Sequence, residues 1–171
     1  MQSLSSASST PPFAIEFRSG LREADAENVA RIVARAGVFS SAEIEIARSL
    51  VRETRAGAPG ADYRFLIADG AHGIDGYTCF GPIPGTDRRY ELYWIVVAAD
   101  AHRRGLGRAL IAQTEAAVRT LHGTHLFAHT STRDDYRPAR AFYEANGYAE
   151  VANIADHYSD GDGLVIYGKR L

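Results

Sequence analysis

A strand, a loop with two glycines and a helix follow one another without a break from Glu91 to Leu121, ELYWIVVAADAHRRGLGRALIAQTEAAVRTL. Glu91–Val97 is strand-like, and His102-Arg103-Arg104-Gly105-Leu106-Gly107 is the loop. Leu106, Leu110, Ile111, Thr114, Ala117, Val118 and Leu121 then recur at spacings of three and four, the stripe of an amphipathic helix. Such a segment builds an anion site. The first turn of the helix holds N–H groups with no intrahelical acceptor, and the helix dipole adds partial positive charge there. Arg103, Arg104 and Arg108 add full charges. The loop is therefore expected to hold a phosphate or pyrophosphate.

Two familiar phosphate loops are excluded. A Walker loop needs Lys-Ser or Lys-Thr after its last glycine, and neither dipeptide is present. A dinucleotide fingerprint needs a third glycine soon after Gly107 and an acidic residue closing the next strand, which instead ends His129-Thr130.

The remainder of the chain supplies the frame. Residues 1–12, MQSLSSASSTPP, carry no charge and little to bury, so they read as a disordered tail ahead of one domain over 13–171. Phe13, Ile15 and Phe17 alternate as a first strand. Asp25 is expected to cap a helix that Gly37 ends, and Ser40 or Ser41 opens a second helix with stripe Ile44, Ala47, Leu50 and Val51. Tyr63–Asp69 and Ile74–Phe80 form a hairpin around Gly70–Gly73, and the strand–loop–helix follows. His125–Thr130 is a strand, Pro138–Asn146 a helix stopped by Gly147, and Tyr148–Ile154 and Leu164–Lys169 are the last strands. The expected architecture is α+β in three layers: a mixed sheet of six or seven strands covered on both faces by about four helices.

Composition narrows the partners. A formal net charge of −2 suggests neither nucleic acid nor an anionic membrane surface, and no apolar run approaches the ~20 residues of a membrane-spanning helix. The single cysteine, Cys79, allows no internal disulfide, so a cytoplasmic setting is expected. His122, His125 and His129 do not make a metal site. The last two share a strand face about 13 Å apart, too far for one ion.

A second motif lies downstream: Ala139-Arg140-Ala141-Phe142-Tyr143-Glu144-Ala145-Asn146-Gly147-Tyr148. Together with Gly105 and Gly107 it resembles the GNAT N-acetyltransferases. Their acyl-CoA loop reads Gln/Arg-x-x-Gly-x-Gly/Ala, and a later signature reads Ala-x-x-Phe/Leu-Tyr-Glu-x-x-Gly-Phe/Tyr. The order of elements is also that of the GNAT fold. Two departures are His102, where the family usually has Gln or Arg, and Tyr136, where it often has Asn.

The resemblance implies acetyl-CoA as cosubstrate and a primary amine as acceptor (a small molecule, amino acid or peptide), which attacks the thioester directly in a ternary complex; the protein is expected to be a monomer or homodimer. It carries roles onto particular residues. Glu91, fourteen residues before Gly105, takes the place of the family's base, with His157 as a competitor. Tyr143 takes the place of the acid for the leaving thiolate. Ile95, Val96 and Val97 would meet the pantetheine and acetyl carbonyl through the backbone, at a bulge that the family strand carries. His102, Arg103, Arg104, Gly105, Leu106, Gly107 and Arg108 would hold the pyrophosphate. Phe39, Tyr77, Tyr93, Tyr136, Arg137 and His157 are the candidates for the acceptor side, and Asp156, Asp160 and Asp162 in the late loop would favour a cationic amine. Strict alternation puts Glu91, Tyr93, Ile95 and Val97 on one strand face and Leu92, Trp94 and Val96 on the other. A non-catalytic acyl-CoA sensor on the same fold is the competing reading.

Overall fold

The computed structural model describes residues 16–60, 62–71, 73–101 and 105–171. The tail expected over 1–12, Phe13, Ile15 and the loop residues His102, Arg103 and Arg104 lie outside them.

Seven strands form one sheet: β1 (Phe17–Arg18), β2 (Arg64–Gly70), β3 (Gly73–Pro82), β4 (Arg89–Val97), β5 (His125–Ser131), β6 (Ala149–Ser159) and β7 (Asp162–Arg170), in the order β1-β2-β3-β4-β5-β7-β6. Four helices accompany them: α1 (Asp25–Ala36), α2 (Ser41–Ala56), α3 (Leu106–Thr120) and α4 (Arg137–Ala145). Helix–strand periodicity thus predicted the order of these strands and α-helices, but not the short 3-10 turns at Ala99–Ala101 and Asp134–Tyr136. The sheet is antiparallel except where β4 and β5 run parallel. That pair needs a crossover, and α3 supplies it.

Each face buries its own core. Val29, Ile32 and Val33 of α1 and Ala47 and Val51 of α2 pack on Phe65, Ile67, Tyr77, Cys79 and Val96. On the other face Ile111 and Val118 of α3 and Tyr143 of α4 pack on Phe80, Leu92, Leu126 and Ala128, while Leu106 and Leu110 cover Ala68. Local chemistry sets the helix ends. Ser40 and Glu43 form a reciprocal capping box at the start of α2, and Gly37 and Gly57 close α1 and α2 in the left-handed region. Asp25 does not cap α1. Its buried carboxylate accepts hydrogen bonds from the Arg18 guanidinium and the Arg22 backbone instead, because the ion pair supplies the donors a buried charge requires.

Two further expectations are corrected. The stretch 156–163 is not a loop. β6 runs to Ser159 and β7 begins at Asp162, so only a tight turn remains, and Asp156 (φ 52°) accepts the Gly161 N–H at 2.6 Å. Polar residues there follow an exposed edge strand, which has no core to impose an apolar alternation. The strict alternation along β4 also fails. Cys79 sits opposite Trp94 but Phe80 opposite Leu92, so Tyr93 is an inserted residue. Such a bulge resets the pleat, and Leu92 joins the cluster of Ile95 rather than that of Val96.

Candidate functional site

The bulge marks the point where β4 leaves β5. Their parallel ladder runs from Arg89 opposite His125 to Leu92 opposite Ala128 and stops there. Beyond it β4 keeps its pairing with β3, through Ile95 on Thr78, while His129–Ser131 pair with β7. The two strands open like a V, and a cleft of about 840 Å³ fills the opening, within the size range of small-molecule sites.

The cleft passes through the sheet and joins its two faces. From β4 it is lined by Tyr93, Trp94, Ile95 and Val97, and from β5 by His129, Thr130 and Ser131. Gly105, Leu106, Gly107 and Arg108 of the α3 start and Ala139, Phe142, Tyr143 and Asn146 of α4 line one end. Phe39 and Glu43 with Tyr136, Tyr158 and Asp162 line the other.

The α3 end is built for an anion. Gly105 (φ 74°) turns the chain into the helix from the left-handed region, where a side chain costs roughly 1–2 kcal/mol. Among the described residues no side chain caps the helix and no acidic residue stands in its first turn, so the amides that open α3 are open to an anion. Arg108 on that turn has no carboxylate partner among the described residues. Gly107 lets α3 and α4 approach: a Cβ there would sit 3.3 Å from the Phe142 ring and 3.7 Å from a Val97 methyl.

Tyr143 is buried against Tyr148 and Tyr167, with ring centroids 5.8 and 5.5 Å away, and it borders the cleft. Burial alone pushes its hydroxyl well above the usual tyrosine range, so it stays protonated at neutral pH.

Glu91 does not reach the cleft wall. His129 does, and its Nδ1 lies 3.3 Å from Glu91 Oε1. The Glu91 side chain is 18% exposed and that of His129 39%, so the carboxylate stands behind the imidazole. Burial raises the Glu91 pKa, and the neighbouring His129 charge opposes the rise. Tyr93 is pushed up to about 12 by burial and then by Glu91, and Tyr136 to about 12 by burial and then by Glu43.

The structure sorts the sequence candidates. Tyr143, Ile95, Val97, Gly105, Leu106, Gly107, Arg108, Phe39, Tyr93 and Tyr136 line the cleft, whereas Glu91 stands behind His129 and does not. Val96 points into the α1/α2 core. Tyr77 is 1% exposed in that core, because the β3 pleat turns it away from the opening. Arg137 is exposed at the start of α4, and His157 stands exposed on β6 beside Tyr158; neither lines the cleft. Of the three late aspartates only Asp162 borders it, accepting a hydrogen bond from Ser131. Sequence reasoning missed Glu43, Trp94 and Tyr158, and it weighed His129 only as a metal ligand. No sequence signal pointed to His129: the β4–β5 register that places it just beyond Glu91 on the same face is seen only in the fold.

Comparison with known proteins agrees with this geometry. The family profile described as an acetyltransferase (GNAT) domain matches residues 61–150. A protein of Desulfovibrio desulfuricans described as a GNAT-family acetyltransferase superposes with a TM-score of 0.89 at 38% identity, over 92% of this chain and 99% of its own. The ribosomal-protein-S18-alanine N-acetyltransferase of Escherichia coli superposes at 0.71 with 19% identity, over 92% of this chain and 94% of its own. An aminoglycoside 6'-N-acetyltransferase complexed with coenzyme A gives 0.71 at 14% identity, over 91% and 97%. The last two share the fold alone. Among curated proteins none matches the sequence.

Proposed function

The chain belongs to the GNAT acetyltransferase family, and from that premise we propose that it moves an acetyl group from acetyl-CoA to a primary amine, without a covalent enzyme intermediate. One observation carries the reading. The splay of β4 from β5 brings an uncapped helix start, a protonated tyrosine and a carboxylate–imidazole pair to a single cleft.

The parts divide the chemistry. The α3 amides and Arg108 take the pyrophosphate, each interaction with the helix end contributing about 0.3–1 kcal/mol. Ile95 and Val97 line the path of the pantetheine arm. The acceptor enters from the side of Phe39, Glu43, Tyr136 and Asp162, where carboxylates favour an ammonium before it is deprotonated. An alkylammonium with a pKa near ~10 must lose a proton to attack, and the Glu91–His129 pair stands where that proton is shed. The nitrogen adds to the thioester carbonyl as the carbon–sulfur bond breaks. Tyr143 then hydrogen-bonds the departing thiolate. Its raised pKa does not prevent this, since the same dry surroundings disfavour a thiolate, as burial raises the thiol of Cys79. Holding both reactants in one cleft supplies the proximity term.

The test is Tyr143→Phe assayed for thiol release over a panel of alkylamines, amino acids and dipeptides. Turnover is expected to fall on the order of 10²-fold with CoA affinity unchanged. CoA binding by wild type with no turnover on any amine would favour an acyl-CoA sensor instead. Equal turnover by both proteins would remove Tyr143 from its role.

A further inference from the structure

Glu91 occupies the place of the base, yet another side chain stands between it and the cleft. We propose that His129 is the group that takes the acceptor's proton, and that Glu91 is a positioning residue acting through it. The inference rests on the acetyl-transfer reading above and assigns its proton step.

The placement follows from the register. Glu91 pairs with Phe127, and the parallel ladder ends one residue later, at Ala128. His129 is the first residue of β5 past that end, so its ring projects at the throat of the V, on the face that Glu91 shares. Glu91 Oε1 faces Nδ1 at 3.3 Å. A neutral imidazole protonated on Nδ1 toward the carboxylate keeps the lone pair of Nε2 for the cleft. Once Nε2 takes a proton, the imidazolium has the carboxylate behind it, and burial makes that partner costly to leave uncompensated.

Other titratable groups share this end of the cleft. Glu43 from α2, Tyr93 from β4, Tyr158 from β6 and Asp162 from β7 border the cleft with His129. Of the cations nearest them among the described residues, Arg133 is held by Asp135 and Arg140 donates to the Ser131 and Arg133 carbonyls. Glu43 and Asp162 thus make the acceptor end acidic, which suits a cationic amine.

The proton count closes. The ammonium passes one proton to Nε2. The neutral nitrogen forms the new C–N bond as the C–S bond breaks and sulfur leaves with the pair. The second nitrogen proton reaches sulfur by way of the Tyr143 hydroxyl, which gives its own and is reprotonated. The products are amide and thiol, and the imidazolium returns its proton to solvent.

The experiment uses the amine that wild type acetylates fastest, with kcat and KM measured from about pH 6 to 10. His129→Gln and the similarly shaped His129→Asn are expected to lose on the order of 10²–10⁴-fold in kcat with the KM for acetyl-CoA unchanged. Their deficit shrinks as pH approaches the amine's own pKa, since a neutral amine needs no base. Added imidazole restores part of the turnover of His129→Ala. Glu91→Gln loses less than His129→Gln and moves the acid limb of the profile to lower pH. Wild-type kcat and pH profile in His129→Gln, with turnover lost in Glu91→Gln, would overturn the inference and leave acetyl transfer standing. Wild type that binds acetyl-CoA and acetylates no amine would overturn both.

Discussion

Lys169→Met tests the polar joint that ties α3, α4 and the late strands together behind the cleft. Glu115 of α3 is 8% exposed, and Lys169 of β7 donates to both its oxygens at 2.8 and 3.0 Å. The Tyr148 hydroxyl donates to the same carboxylate at 3.2 Å. Lys169 also donates to the Asn146 carbonyl at 2.9 Å, closing the end of the helix that carries Tyr143. Methionine keeps most of the side chain's apolar volume and removes every donor. Removing one partner of a fully buried pair costs about 3–5 kcal/mol. Lys169 is a quarter exposed, so water recovers part of this and about 2 kcal/mol remains. The stranded Asn146 carbonyl adds about 1 kcal/mol. The total, about 3 kcal/mol, lowers Tm by roughly 6–12 °C in a domain of this size. Urea unfolding followed by circular dichroism measures it. Glu115→Leu with Lys169→Met removes both charges and is expected to recover most of the loss, because the penalty lies in a buried carboxylate left with only the Tyr148 hydroxyl and the half-exposed Arg119 guanidinium at 3.7 Å. A single-variant loss below about 1 kcal/mol, or a double variant as unstable as the two singles summed, would refute the reasoning.

Two further outcomes follow from the cleft and from the ion pairs. Gly107→Val pushes two methyl groups from the start of α3 toward Phe142 and Val97 and is expected to weaken CoA binding about tenfold or more by calorimetry, whereas wild-type affinity would show that the two helices need no such approach. At low pH, stability should depend on Asp25 and Asp69. Burial raises the Asp25 pKa, but hydrogen bonds from Arg18 and the Arg22 backbone outweigh it; Arg18 lowers Asp69 directly. Both folded values lie below the unfolded ones, so their contribution is full above about pH 4 and is lost as pH falls through the folded values. Asp25→Asn should flatten that acid slope in urea titrations, and an unchanged slope would exclude the cluster.

How much of this was legible beforehand depends on the range of the interactions involved. Gly105 and Gly107 announced the turn into α3 because a left-handed turn and an uncapped first turn are properties of a few consecutive residues. The capping box at Ser40 and Glu43 is equally local. The acceptor candidates fared worse. Phe39, Tyr93 and Tyr136 reached the cleft, but Tyr77 went to the core and Arg137 and His157 to open surface. Residue type says that a tyrosine wants burial, and not against what.

Element order, helix faces and the left-handed glycine turn into α3 were determined by the sequence alone, since periodicity and backbone conformation act over one or two turns of chain. The cleft itself was decided by tertiary structure. One inserted residue at Tyr93 resets the β4 pleat, and loss of the ladder past Leu92 opens the sheet. The pairing of Glu91 with His129 joins positions 38 residues apart, because two parallel strands bridged by α3 must lie side by side in a register that the pattern of neither strand encodes.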